Sequence, residues 1–483
     1  MSQVLEQSSE TLRPYAPRLL IRWLAEQPHR SFRTLDGSMV FVDISGFTKM
    51  SERLARHGKV GAEEVTEVLG AVFAKLLGVA YGEDGSLLKF GGDALLLWFS
   101  GSGHAQRAAT SAHGMRATLR SVGRLDTTAG KVLLRMSVGV NTGSFHFFLV
   151  GESHRELIVT GPAASRTVEM ESTATAGEIL VSRDTAAALP ARALGQPKGE
   201  GILLRSGPPT LSFGRDDVEV LISSIDVAQG VPVTLRERLL SGAAEPEHRT
   251  ATVAFVHFDG VDGLIEQRGV DVTAAGLHEL ITCVQHAAEE NGVTFLGTDI
   301  DHDGGKVILV AGAPNALGDD EGRMLLTLRS ILDAETTVPV RIGVNKGPVF
   351  AGDIGPGYRR TYTVMGDAVN LAARLEGANK PLDTKVLLSR EAMERSGLDW
   401  FRPMGTITLR GRATPVEVFE PDPEATPAER RLAAEIIAAH ESGDSALVHR
   451  LTDSIAESGQ DEAVANLVQR LRQTQKGESY VLG

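Results

Sequence analysis

The chain has 483 residues and carries 49 Lys plus Arg against 62 Asp plus Glu, a formal charge of −13. That balance excludes the basic surplus of a non-specific nucleic-acid binder, and 42% hydrophobic with 23% charged residues excludes a disordered chain. The length predicts about three domains or two large ones, at roughly 100–200 residues each. A lone cysteine, Cys283, excludes an intrachain disulfide and a cysteine-based zinc site, and fits a reducing compartment.

From the N-terminus, residues 1–35 are expected to form a helical segment, with Arg18 to Trp23 as a short helix packing on the first fold. Glu6 and Glu10 precede any apolar stretch, so the basic and apolar regions of a signal peptide are missing. The longest apolar run, Ala94 to Phe99, is about six residues, far below the roughly 20 that span a bilayer. The expectation is a cytoplasmic protein with no membrane or nucleic-acid partner.

A long-period repeat follows. Met39-Val-Phe-Val-Asp-Ile-Ser-Gly-Phe47 recurs as Val253-Ala-Phe-Val-His-Phe-Asp-Gly-Val261, and Gly139-Val-Asn-Thr-Gly143 as Gly343-Val-Asn-Lys-Gly347. Gly177-Glu-Ile-Leu-Val-Ser182 recurs as Thr384-Lys-Val-Leu-Leu-Ser389. The offsets, 255 − 41 = 214, 343 − 139 = 204 and 384 − 177 = 207, keep order over most of the chain, so one supersecondary unit occurs twice.

In chain order each copy predicts a strand (38–43; 251–258), a long helical stretch (48–80; 262–291) and a β-hairpin (86–99; 295–311). Then come a helix (103–120; 317–334), two strands (131–140 and 156–160; 338–345 and 361–365), a helix (162–174; 367–378) and a strand (178–182; 385–389). Strands alternating with helices predict an α/β or α+β sheet layered against helices. The expected division is 36–225 and 246–420 for the two folds, 226–245 for a Gly- and Pro-containing linker, and 421–483 for a helical tail.

Three places carry candidate chemistry. Asp43 ends a strand before a Gly-containing turn, a position suited to holding Mg²⁺ against phosphate, or to capping the next helix. Asp93 ends Lys89-Phe-Gly-Gly-Asp93 at a hairpin tip, which is also an ordinary two-residue turn signal. Asn370 and Arg374 are four apart, so on a helix they share a face. An amide and a guanidinium there can hold ribose and phosphate oxygens, or decorate a solvated surface.

Together Phe41-Val-Asp-Ile-Ser-Gly-Phe-Thr48, Leu88-Lys-Phe-Gly-Gly-Asp93 and Gly366-Asp-Ala-Val-Asn-Leu-Ala-Ala-Arg374 resemble the class III nucleotide cyclases. The unlike copies resemble the bicarbonate-responsive soluble adenylyl cyclase group and its bacterial relatives. The resemblance implies two ferredoxin-like α+β sandwich folds paired within one monomeric chain. It also implies conversion of ATP to cyclic AMP with two Mg²⁺ or Mn²⁺ ions. Asp43, Asp93 and the Ile44 carbonyl match the metal ligands, Asn370 and Arg374 the transition-state ligands, and Thr363 the purine-reading residue.

Arg410 falls where the family keeps a triphosphate-binding lysine. The family's purine-reading lysine has no counterpart in 296–299, where Asp299 is the substitute considered. In the second copy His257 and Lys306 replace the two aspartates; in the first, Ser165 and Glu169 replace Asn370 and Arg374. The resemblance therefore implies one complete composite site and one defunct one. At the latter Lys89 and Arg166 form a candidate bicarbonate pocket, unless Lys89 is only a hairpin ion-pair donor. A guanylate cyclase or a catalytically silent nucleotide-binding regulator is the alternative.

Overall fold

The computed structural model describes residues 8–47, 50, 53–54, 58–128, 130–210, 225–242, 246–409, 414–458 and 480–482. The first copy runs α1 (Arg18–Glu26), β1 (Phe32–Ser45), α2 (Gly58–Gly82), the hairpin β2 (Ser86–Gly91) and β3 (Ala94–Ser100), and α3 (His104–Val122). It continues through β4 (Arg135–Val150), β5 (Glu156–Thr160), α4 (Pro162–Thr173), β6 (Ile179–Val181), β7 (Leu194–Lys198) and β8 (Gly201–Leu204).

After α5 (Val233–Leu240) the second copy repeats the plan. It runs β9 (Glu247–Phe258), α6 (Val261–Arg268), α7 (Val270–Glu290), β10 (Thr294–Asp301), β11 (Gly304–Ala311) and α8 (Asp320–Asp333). Then follow β12 (Val340–Ile354), β13 (Thr361–Met365), α9 (Asp367–Leu382), β14 (Val386–Ser389), β15 (Phe401–Leu409) and β16 (Val416–Pro421).

The sheets share the strand order β2-β3-β1-β4-β6-β8-β7 and β10-β11-β9-β12-β14-β16-β15, with β5 on β4 and β13 on β12, and the second adds β17 (Tyr480–Leu482), parallel to β15, inside the segment expected to be helical. Each central strand is apolar on both faces because both faces are covered. In β1, Val40, Val42 and Ile44 enter a core with α2 and α3, while Met39 enters a second core with Trp98, Phe145, Val253, Val364 and Ala368. In β9, Ala254, Val256 and Phe258 face the helices α7 and α8, and Val253 and Phe255 face that same second core. The alternation is the period of two of a strand, and the core shared by both copies pairs them as an intramolecular pseudo-dimer.

The repeated Gly-Val-Asn-x-Gly string has a packing cause. A Cβ on Gly139 or Gly343 would collide with the backbone of α4 at Glu171 or of α9 at Glu376. Asn141 and Asn345 then donate to Ala163 O and Ala368 O, each at 2.8 Å. The string thus seats each helix on its central strand, and α9 carries Asn370 and Arg374.

Several expectations change. Strand β1 starts at Phe32, inside the segment expected to be helical, and α1 buries Leu20, Ile21, Trp23 and Leu24 in the core common to both copies rather than on the first fold alone. The span expected as linker contains a 3₁₀ turn (Val227–Gly230) and α5, whose Leu235 and Leu239 enter the same core. The single helix expected over 262–291 is two, broken at Gly269 with φ +87°.

Helix α2 holds a stretch, Glu63–Gly82, long and apolar enough by composition to cross a membrane, which the count of uninterrupted apolar residues had missed. Its Val65, Leu69, Val72, Phe73, Leu76 and Leu77 are core residues. Of the expected tail, α10 (Pro427–Glu441) packs Ala433, Ile436 and Ile437 against β15, and α11 (Ser445–Ser458) follows; positions 459–475 lie outside the described residues.

Candidate active site

β1 and the β2–β3 turn bring two carboxylates together. β1 pairs with β3 up to Asp43 opposite Ala94, and β2 closes on β3 with Gly91 opposite Ala94, leaving Gly92 and Asp93 as the turn. Burial raises the pKa of Asp43. Burial and then the charge of Asp43 push Asp93 up to about 7. Among the described residues neither carboxylate has a basic partner. Ile44 is 2% exposed with its side chain in the core, so only its main chain is available to a ligand.

A third acid, not anticipated from the sequence, stands nearby. Glu171 on α4 accepts from Ser137 Oγ at 2.7 Å, and Ser137 is the cross-strand neighbour of Asp43. Burial, helped by Asp43, pushes its pKa up to about 6. The signal was present, since Glu376 holds the same place in the second copy.

These residues fit a divalent cation. Among the described residues no three His, Cys, Asp or Glu side chains form a closed metal cage. Mg²⁺, however, usually takes one or two carboxylates and completes its shell with substrate phosphates and water. Two mutually repelling, half-buried acids with no counter-ion among the described residues are what such an ion neutralises.

Asn370 and Arg374 lie half-buried on α9, just after Met365, which joins the core of Ile44 and Phe47. That shared core sets the start of α9 against the acidic end of β1. Thr363 is half-buried on β13 opposite Gly352. Asp299 is raised by burial, its carboxylate lying against Gly91. Arg410 lies outside the described residues. A cavity of about 380 Å³ beside the start of α9 is lined by Phe350, Met365, Gly366, Asp367 and Leu371.

The other composite site is filled. Where β2–β3 turns, β10–β11 continues for two more pairs, Ile300 with Gly305 and Asp301 with Gly304. The register sets His257 opposite Lys306, just as Asp43 is opposite Ala94. Lys306 is thus the counterpart of Ala94, and Gly305 that of Asp93, one position from the equivalence drawn from the sequence. The same register makes Gly297 the counterpart of Lys89.

The extended tip docks on α4. Asp303 N–H donates to Ser165 Oγ at 2.8 Å, and Thr160 Oγ1 donates to Gly304 O at 2.9 Å. Behind it, side-chain charges pair with one another around His257, the counterpart of Asp43. Arg341 pairs with Asp259 at 2.7 Å and reaches His257 Nδ1 at 3.1 Å, and Lys306 pairs with Asp301 at 3.1 Å. Glu376 lies 3.7 Å from Arg341.

Lys89 and Arg166 are not brought together. Lys89 binds Glu156 at 2.7 Å and also reaches Thr298 Oγ1, so the hairpin ion pair is what it makes. Burial alone would raise Glu156, but Lys89 and His154 more than offset it and hold it well below the usual carboxylate range. Arg166 is exposed and paired with Asp184 at 3.2 Å.

Two α+β folds of one plan, sharing a core and with the hairpin tip of the second docked on the first, define a tandem class III cyclase pseudo-dimer. Residues 32–206 and 245–419 match the family model described as the adenylate and guanylate cyclase catalytic domain, and the chain belongs to that family.

Over 81 residues (17% of this chain, 12% of the relative) it is 41% identical to adenylate cyclase 1 of Rhizobium meliloti. Over 184 residues (36% and 31%) it is 32% identical to an uncharacterized protein of Mycobacterium tuberculosis. The chain thus spans a third or less of the length of these curated relatives. A crystal structure of a class III adenylyl cyclase-like ATP-binding protein from Pseudomonas aeruginosa shares the fold. That match has a TM-score of 0.54 and 13% identity, and covers 82% of this chain and 92% of the other.

Proposed function

We propose that this protein is an adenylate cyclase that converts ATP to 3′,5′-cyclic AMP and pyrophosphate at one composite site. The observation that carries the reading is the division of labour. Asp43 and Asp93, an acidic pair with no basic partner among the described residues, stand in the first copy, and Asn370 and Arg374 stand in the second, on the helix that follows Met365 in the core of Ile44.

In the reaction the ribose 3′-oxygen forms a bond to the α-phosphorus and the bond to the β-phosphate oxygen breaks. Pyrophosphate leaves, and the 3′-hydroxyl proton passes to solvent. Asp43, Asp93 and the Ile44 main chain would hold the divalent ions. When bound, such ions lower the pKa of the attacking hydroxyl and neutralise charge on the leaving phosphates. Asn370 orients the ribose, and Arg374 donates to the α-phosphate oxygens as their charge grows. Thr363 and Asp299 serve the purine side, where Gly297 contributes no side chain. Relatives named as adenylate and as guanylate cyclases both match, so the reading of ATP rests on Thr363.

A bicarbonate response is not part of the reading, because Lys89 has Glu156 as its counter-ion and Arg166 has Asp184. The test is product identification by chromatography after incubation with ATP or GTP and Mg²⁺ or Mn²⁺. Cyclic AMP from ATP is the expected result. Cyclic GMP alone would make it a guanylate cyclase, and bound but unreacted nucleotide would make it a silent regulator.

A further inference from the structure

Strand β2 carries a bulge five residues before Asp93 (93 − 88 = 5). Its pairing with β3 passes from Leu87 opposite Leu97 to Lys89 opposite Leu96, so Leu88 has no partner. An extra residue leaves peptide groups outside the ladder and bends the strand. The bend therefore sets the direction in which the turn of Gly92 and Asp93 leaves the sheet.

The carbonyls at this bulge are taken by a side chain of the other copy. Arg359, 5% exposed, donates from Nη2 to Leu88 O at 2.9 Å and from Nε to Leu87 O at 3.4 Å. From Nη1 it donates to Pro14 O at 3.1 Å and Arg360 O at 2.8 Å. The Arg360 N–H donates to Pro14 O as well, at 2.7 Å. The guanidinium stands 5.6 Å from the Phe90 ring centre, and among the described residues no carboxylate pairs with it. Three separate main chains thus meet on one cation: the β2 bulge leading to Asp93, the loop leading into β13 and Thr363, and the N-terminal segment.

A buried cation with only carbonyl partners is costly compared with an apolar side chain, so packing alone does not account for arginine here. A planar fork with five N–H groups can serve consecutive carbonyls and a third segment at once, which an ammonium cannot.

We infer that Arg359 is a positioning residue that aims Asp93: it fixes the β2 bulge against the loop before Thr363 and against Pro14. The inference rests on the assignment of Asp93 as a metal ligand made above.

The test is Mn²⁺ binding to the full chain, read from the electron paramagnetic resonance signal of free Mn²⁺, with circular dichroism to verify folding. The variants are Arg359→Met, Arg359→Lys, Gly355→Ala and Asp93→Asn. Gly355→Ala keeps the guanidinium but displaces its loop, because at φ +101° a Cβ would press on the Arg359 carbonyl and come within 2.8 Å of the Phe90 ring.

Outer-shell partners typically contribute on the order of 10–100-fold in metal affinity. A loss of that size is expected for Arg359→Met, Arg359→Lys and Gly355→Ala, each in a chain that circular dichroism shows to be folded. If Arg359→Met does not fold, the other two decide. Wild-type Mn²⁺ binding in folded Arg359→Lys and Gly355→Ala, with binding lost in Asp93→Asn, overturns the inference and leaves the proposed function standing. Wild-type binding in Asp93→Asn overturns the ligand assignment itself.

Discussion

The main-chain N–H of Asp303 donates to Ser165 Oγ at 2.8 Å, and Ser165 is the counterpart of Asn370. The second interface is therefore occupied by the protein's own hairpin, which runs two pairs further than its counterpart in the first copy. Restoring side chains alone should not revive it. A chain carrying Ser165→Asn, Glu169→Arg, His257→Asp and Gly305→Asp is expected to bind one nucleotide per chain by calorimetry, the number proposed for the parent. A second binding event would show that the tip yields.

Arg374 and Glu169 occupy equivalent helical positions with opposite expected importance. Removing a donor aimed at charge developing in the transition state costs on the order of 10²–10³ in kcat. That loss is expected for Arg374→Ala, with Mn²⁺ binding unaltered. Glu169→Ala should stay within a few-fold of the parent, and steady-state kinetics on both decides.

Metal affinity should depend on pH with a definite sign. In the metal-free chain the Asp93 carboxyl is pushed up to about 7, by burial first and Asp43 second, and a cation binds the ionised form. The half-saturating Mn²⁺ concentration should fall as pH rises towards 7 and level off above it. Between the unfolded aspartate value and about 7 the folded chain binds the extra proton, so its metal-free stability should decline as pH rises through that window. Thermal melts in chelator across that range, with and without added Mn²⁺, measure both.

Lys306 should matter for stability and not for turnover. It neutralises Asp301 at 3.1 Å, and losing one partner of a fully buried pair costs about 3–5 kcal/mol. Because both side chains retain partial exposure, Lys306→Ala should cost less, on the order of 1–2 kcal/mol, with kcat within a few-fold. Denaturant titration and kinetics on the same preparation test the pair of statements.

Much of this was legible because the constraints are local. Asp43, Asn370 and Arg374 sit in strings whose strand and helix periods are plain, and the strings at Gly139 and Gly343 mark the repeat, though not the helix packing that requires their glycines. Register across a hairpin was not legible. Lys306 was placed one position away because the second hairpin runs two pairs further, and nothing in Asp299-Ile-Asp-His-Asp303 states where the chain reverses. The resemblance alone sets Arg166 beside Lys89, whereas in the fold Arg166 pairs with Asp184. Arg359 was invisible, since its role depends on a bulge and on an N-terminal segment 345 positions away (359 − 14 = 345). Glu171 could have been found, had the two copies been compared for what they retain as well as for what they have lost.

The core in which Met39, Trp98 and Phe145 meet Val253, Val364 and Ala368 has a consequence for how output scales with abundance. Halves supplied by separate subunits must first associate, so their activity falls away on dilution. Here both halves fold around common side chains, so the proposed composite site needs no second chain. Product formed per chain should therefore be the same for a few scattered molecules as for many, making synthesis proportional to copy number with no threshold.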